Sequence, residues 1–162
     1  MFKITKIDID NCKVVTSNYP YISNKKTNNH TVLLGIGGNV GNVVRRFEHL
    51  FWFFRRSNHI RILQTSPILK NPPFGYHDQS FFYNALVLID TRLSPAQLLR
   101  FILNVEKKFG RKRSFKNAPR TLDIDMIKYD KLILNKSNLV LPHPFWNTRN
   151  SVLLPLSWMI GY

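Results

Sequence analysis

Sulfur and acid are scarce in this chain. Its 162 residues include one cysteine, Cys12, so no intrachain disulfide can form, and no zinc-ligand spacing exists. A reduced, cytosolic protein is the resulting expectation. Only 9 residues are Asp or Glu, against 24 Lys and Arg, a formal net charge of +15. Such an excess attracts polyanions over long range, so nucleic acid, an anionic membrane surface and nucleotide phosphates are all admissible partners. Charge alone does not choose among them. Long apolar runs are also missing: the longest strongly apolar stretch, residues 50–54, is far too short to cross a bilayer. The first residues carry Asp8 and Asp10 and no apolar run, so they do not read as a signal peptide.

What is present is enough for one real core. Hydrophobic residues make up 44% of the chain, with 12 Phe and 3 Trp, and the length suits a single domain. Residues 1–30 differ from the rest. Ile4, Ile7, Ile9, Val14 and Val15 flank Asp10-Asn11, and a polar run follows at residues 23–29. This extension is either a short hairpin added to a sheet edge or a mobile arm, ahead of one domain over residues 31–162.

Periodicity then organises the domain. Residues 31–36 are a short apolar run, read as a buried strand, and Gly37-Gly38-Asn39-Val40-Gly41 breaks it. Asn42 can cap a helix in which Val43, Val44, Phe47, Leu50, Phe51 and Phe54 recur at helical spacing. Residues 59–65 read as a second strand. Residues 66–80 carry Pro67, Pro72, Pro73 and Gly75 and read as a loop. Residues 81–90 form a third strand, rich in aromatic and β-branched side chains. Ser94-Pro95-Ala96-Gln97 is a capping box with proline at the first helical position, and Leu98, Ile102, Val105 and Phe109 follow on one face. Gly110 is placed to end that helix. A basic loop leads to a fourth strand at residues 121–129, and Asp130-Lys131 can turn into a further short segment. The order β-α-β-β-α-β predicts an α+β, ferredoxin-like antiparallel sheet with its helices on one face and an extra C-terminal hairpin or loops. Fold does not assign function, so the sites must.

Asp123-Ile124-Asp125 places two carboxylates on one face of a strand, about 7 Å apart. Such a pair suits a magnesium ion that keeps waters and phosphate oxygens as its other ligands. The alternative is that one Asp simply faces solvent. Lys107, Lys108, Arg111, Lys112, Arg113, Lys116 and Arg120 crowd the stretch before it, and cations next to a carboxylate pair are what phosphoryl transfer uses. A solvated charge run is the plainer reading of the same residues. Glu106 falls roughly 70° from the centre of the apolar stripe of its helix. There it can accept from a ribose hydroxyl or merely pair with a nearby cation. Phe82 and Asn84 share a strand face, which fits a flat heterocycle that stacks on the ring and bonds the amide; a core Phe and a backbone-bonded Asn would look the same. His143, between Pro142 and Pro144, and Arg149 could face a phosphate. Gly35-Ile36-Gly37-Gly38-Asn39 lacks the spacing and the parallel βαβ setting of a dinucleotide fingerprint.

Taken in order, these stretches resemble the 6-hydroxymethyl-7,8-dihydropterin pyrophosphokinases. The likeness rests on Gly35-Ile36-Gly37-Gly38-Asn39, Tyr83-Asn84-Ala85, Glu106 with Gly110-Arg111-Lys112-Arg113, and Ala118-Pro119-Arg120-Thr121-Leu122-Asp123-Ile124-Asp125. Pro142-His143-Pro144 and Arg149 complete it, and it covers roughly residues 31–162. The resemblance implies transfer of the β,γ-pyrophosphoryl group of ATP to the pterin hydroxymethyl oxygen, in folate synthesis. It implies two Mg²⁺ ions on Asp123 and Asp125. Arg111, Arg113, Arg120, His143 and Arg149 would meet phosphates, with Arg111, Arg113 and Arg120 catalytic, and Glu106 the nucleoside side. Phe74, Phe82 and Asn84 would form the pterin pocket, with Asn71 and Pro72 in its wall, and Asp123 would bind the pterin as well. Loops 66–80 and 110–119 would close over the substrates. Neither a nucleic acid nor a membrane is an expected partner, and the oligomeric state is open.

Three positions depart from the family pattern. Asn117 stands near where many members carry an aromatic in the basic loop, Ser151 where many carry a pterin-stacking Phe, and Gly38 where Ser is usual. Losing one aromatic face corresponds to about 1 kcal/mol of pterin binding, unless Phe145 or Trp146 substitutes. The rival readings are a basic RNA-binding ferredoxin-like module and an inactive relative acting as a scaffold. The first lacks an RNP1-like run, and the retained Asp123, Asp125, Arg120 and His143 oppose the second.

Overall fold

The computed structural model of the protein describes residues 2–161. The elements are β1 (Lys3–Lys6), β2 (Cys12–Val15), β3 (Tyr21–Ile22), β4 (His30–Gly38), α1 (Val43–Arg56), β5 (Ile60–Thr65), β6 (Ile68–Asn71), β7 (Phe82–Thr91), α2 (Pro95–Lys108), β8 (Asp123–Tyr129), β9 (Leu134–Lys136), β10 (Leu139–Leu141) and α3 (Asn150–Ser157). They make an α+β fold around a sheet of order β1-β2-β6-β7-β4-β8, with β5 pairing β7 alongside β6 and carrying β3. All of these pairings are antiparallel.

Local chemistry starts and stops the long helices as the sequence predicts. Asn42 Oδ1 accepts from the Arg45 N–H at 3.0 Å. Both halves of the Ser94–Gln97 capping box form, at 2.9 and 3.3 Å. After Phe109 the chain turns at Gly110, whose φ of 81° favours a residue without Cβ. Packing then holds the helices. Phe residues in α1 are each a few tenths of a kcal/mol poorer than Ala as helix formers, but burial of Phe47, Phe51 and Phe54 returns about 1.5–3 kcal/mol apiece, so burial wins. These rings and Leu98, Ile102 and Val105 of α2 pack on Val32, Leu34 and Ile36 of β4, with β7 and β5 alongside.

The structure corrects the sequence reading in two places. Residues 66–80 are not all loop, because Ile68–Asn71 forms β6 and continues the edge begun by β5. Pro67 sits in the break between them, where no ladder N–H is required, and Ser66 bridges the gap by bonding Leu86 through both backbone and Oγ. The helices are also not confined to one face. Leu33, Leu86 and Ile127 point to the side away from α1 and α2, and α3 with Met159 and Val152 covers them. The C-terminal segment does form a hairpin, β9 with β10, after a turn at Asp130.

The extension is folded onto the domain. β1 and β2 form a hairpin that joins the free edge of β6, Cys12 opposite Lys70. Val14 and Tyr19 are each only 1% exposed. Tyr19 packs on Phe47 and Phe51 and donates its hydroxyl to the Phe47 carbonyl at 3.1 Å. Glu48 of α1 accepts from Thr16 and Asn18.

Candidate active site

Register builds the floor of the site on the face opposite α1 and α2. Gly37 of β4 lies between Asn84 of β7 and Asp123 of β8, and Gly35 lies between Leu86 and Asp125. A Cβ at Gly37 would sit 2.8 Å from Asn84 Oδ1. Glycine there leaves a side-chain-free strip between the amide and the two carboxylates. Above this floor is a cavity of about 510 Å³. Phe82 and Asn84 enter it from β7, Asn71 and Pro72 from the end of β6, and Phe74 from the loop beyond. Arg120, Asp123, Asp125, His143 and Arg149 line the other side.

The charges are arranged unequally. Asp123 is clamped by two guanidinium groups, Arg111 Nη1 on Oδ1 at 3.1 Å and Arg120 Nη1 on Oδ2 at 3.0 Å. Asp125 has no such partner among the described residues. Burial first, then the Asp123 and Glu106 carboxylates, push its pKa up to about 7. A cation between Asp123 and Asp125 would relieve that repulsion. No group of three or more His, Cys, Asp or Glu side chains clusters as a metal cage among the described residues. Two carboxylates with open coordination suit Mg²⁺, which keeps waters and takes phosphate oxygens. The residues present therefore fit the ion.

Hydrogen-bond donors and cations surround the pair. Arg111 Nε is buried without a partner, a free donor on an arginine already held by Asp123 and the Leu122 carbonyl. Residues 111–120 enclose a second depression of about 370 Å³ beside the first. His143 Nδ1 accepts from the Phe145 N–H at 3.2 Å, which leaves the proton on its other ring nitrogen. Burial and then Arg149 lower its pKa, so it stays neutral and donates as an imidazole. Arg149 is held between Phe74 and Phe145, 5.9 and 5.0 Å from their ring centroids.

Most of the sequence-predicted residues thus converge on one cavity, and three lie beside it. Arg111 and Arg113 line the depression of the basic loop, Arg113 two-thirds exposed. Glu106 is 3% exposed and lies beneath the floor, where Oε1 accepts from Ile124 N–H at 2.8 Å and Oε2 from Arg113 at 3.3 Å. Burial raises its pKa, against the opposing backbone hydrogen bond. Neither Phe145 nor Trp146 enters the cavity to replace the aromatic absent at Ser151: Phe145 holds Arg149, and Trp146 lies under Lys128, 3.9 Å away. The two loops meet. Tyr76 packs on Phe115 at 5.4 Å, and Gln79 donates to the Asn117 carbonyl.

Sequence reasoning missed the part played by Asn39. It is buried, its Oδ1 accepts from the Arg120 N–H and its Nδ2 donates to Gln79 and the Ser80 carbonyl. One amide therefore fixes both loops on the cavity rim. Its place in the glycine-rich stretch was the available clue. Asp10 and Asn11 of the extension also line the cavity, and no sequence pattern announced them.

A family model described as 7,8-dihydro-6-hydroxymethylpterin-pyrophosphokinase matches residues 33–160. The chain belongs to this pyrophosphokinase family. It is 41% identical over 149 residues to the 2-amino-4-hydroxy-6-hydroxymethyldihydropteridine pyrophosphokinase of Helicobacter pylori, covering 90% of this chain and 91% of the relative. The Campylobacter jejuni pyrophosphokinase of the same name is 40% identical over 139 residues, 85% of this chain and 88% of that one. The folic acid synthesis protein FOL1 of Dictyostelium discoideum is 38% identical over 136 residues, 83% of this chain but 20% of that longer protein. The Helicobacter match is longer than residues 31–162 alone can supply, so the likeness to this pyrophosphokinase extends into the N-terminal segment. No helix among the described residues is long and apolar enough to cross a membrane.

Proposed function

We propose that the protein transfers the pyrophosphoryl group of ATP to 6-hydroxymethyl-7,8-dihydropterin, releasing AMP, as a step of folate synthesis. One observation carries the reading: a carboxylate pair, Arg120 and Arg149, and an aromatic–amide platform meet in a single cavity. The pterin hydroxymethyl oxygen gives up its proton to solvent and forms a bond to the β-phosphorus, the bond from that phosphorus to the α,β-bridging oxygen breaks, and AMP leaves.

Phe82 supports one face of the pterin ring and the Asn84 amide bonds its edge, with Asn71 and Pro72 as wall and Phe74 in the adjoining loop. Arg111, Arg113 and Arg120 neutralise charge that builds on the transferred group, and His143 and Arg149 donate to phosphate oxygens. Asp123 and Asp125 would hold Mg²⁺, two ions in our reading, which would supply positive charge against the phosphates. Glu106 serves the nucleotide side from below, by fixing Arg113 and the Ile124 backbone. The net charge of +15 steers ATP toward the site. The strand order β5-β7-β4-β8, with α1 and α2 on one face, supports a ferredoxin-like core to which the hairpins and α3 are added. The lone Cys12 supports a reduced cytosolic setting.

Product analysis tests the reading. Purified protein incubated with Mg²⁺, ATP and the pterin alcohol should yield AMP and the pterin pyrophosphate in equal amounts. Absence of AMP from folded protein would sink it and favour the RNA-binding or scaffold reading.

A further inference from the structure

The cavity is closed on its β6 side by a part of the chain with no assigned role. The β1–β2 hairpin turns at Asp8–Asn11, and Asp10 and Asn11 line the same cavity as Phe82, Asn84 and Asp125. Cys12 pairs with Lys70, so the next step along the ladder sets Asn11 beside Asn71, whose partner on β7 is Phe82. Strands β4, β7 and β6 separate β8 from β2. The turn therefore lies on the order of 19 Å along the sheet from the carboxylates, at the heterocycle end of the cavity and away from the phosphate end.

The turn is closed by its own hydrogen bonds, and it leaves acceptors free. Asp8 Oδ1 accepts from the Asp10 and Asn11 N–H groups, each at 2.8 Å, and Asn11 Nδ2 donates to both Asp8 oxygens at 3.0 and 2.9 Å. The Ile7 and Asp8 N–H groups close the loop on the Asn11 carbonyl. With Nδ2 committed, Asn11 has its Oδ1 left, and the Asp10 carboxylate has no donor among the described residues. Two acceptors thus stand unpaired at the wall of a cavity whose α3 side carries Ser151. A carboxylate in that place opposes phosphate and favours a donor-bearing group.

We propose that Asp10 and Asn11 form a specificity wall that accepts from the amino and ring N–H edge of the pterin, and so holds the ring where stacking by a residue at 151 is absent. This rests on the pterin reading of the site given above. It makes the extension a working part of the pocket as well as an edge strand.

Calorimetry with full-length protein, Mg²⁺ and a non-hydrolysable ATP analogue tests it. Asp10→Ala, alone and with Asn11→Ala, should weaken binding of 6-hydroxymethyl-7,8-dihydropterin on the order of tenfold. Neither variant should change the affinity for the ATP analogue, and Asp10→Ala, whose carboxylate bonds nothing within the turn, should leave the thermal midpoint in place. Ile9→Ala, in the same turn but 88% exposed and outside the cavity, should bind the pterin like the parent protein. A pterin analogue without the 2-amino group should lose affinity for the parent protein and bind the Asp10→Ala variant equally well, which a merely structural turn would not produce. Pterin affinity within twofold of the parent in both variants overturns the wall. A parent protein that binds the nucleotide analogue but no pterin overturns the functional reading itself, a result distinct from a loss confined to the variants.

Discussion

Arg120 holds Asp123 and Phe82 at once: its Nη1 donates to Asp123 Oδ2 at 3.0 Å, and its guanidinium lies 5.5 Å from the Phe82 ring centroid. One planar cation thus links the carboxylate end of the cavity to the aromatic end. Lysine cannot reproduce a flat group that stacks and forks together. Arg120→Lys should lower kcat at least tenfold with little change in thermal midpoint. Steady-state kinetics beside a melting curve checks this, and a near-normal kcat would remove Arg120 from the machinery.

Asp125 makes a second prediction with a definite sign. Its pKa of about 7 in the folded protein lies above the ordinary carboxylate value of about 3.9. The folded metal-free state therefore binds this proton more tightly than the unfolded one. The resulting stability is complete below pH 4 and is lost as pH rises through 7. Magnesium competes with the same proton, so its apparent affinity at pH 6 should be about tenfold weaker than at pH 8. Asp125→Asn should abolish turnover yet raise the metal-free thermal midpoint at pH 8, because it removes a buried repulsion. A lower midpoint in that variant would contradict the electrostatic account.

Tyr19 ties the extension to the core. Tyr19→Ala removes a fully buried ring and a hydroxyl bonded to α1, and should cost about 3–5 kcal/mol. Urea denaturation would measure it. A loss below 1 kcal/mol would mean that residues 12–22 do not stabilise the domain.

Ser151→Phe adds an aromatic where the cavity has none on the α3 side. It should tighten pterin binding several-fold, consistent with about 1 kcal/mol for an aromatic pair. Calorimetry decides. Unchanged or weaker affinity would show that the Asp10–Asn11 wall already sets the ring's position.

The elements that were legible in the sequence depend on neighbours a few residues away. Ser94 and Gln97 make their box within one turn, and Asn42 caps within three residues. Asp123 and Asp125 share a face because strands alternate, whichever sheet receives them. The motif order likewise carried the family and many of the residues that line the cavity, but Glu106, Arg111 and Arg113 lie beside it and Asp10 and Asn11 went unannounced. Residues 68–71 escaped because their strand exists only by pairing with β2 and β7, and the prolines around them argued locally for a loop. Helix α3 escaped because Pro155 interrupts its pattern and its partners, Leu33 and Leu86, lie far back in the chain.

By itself, then, the sequence determined the starts and stops of α1 and α2, the carboxylate pair, the basic loop and the chemistry they imply, since each is written in short-range spacing. Tertiary structure alone decided that Glu106 lies under the floor, that Asn39 holds Arg120, that α3 covers the second face, and that a turn more than a hundred residues before Asp123 walls its cavity. Those relations come from strand register and long-range packing, in which each residue's place depends on partners that no local pattern names.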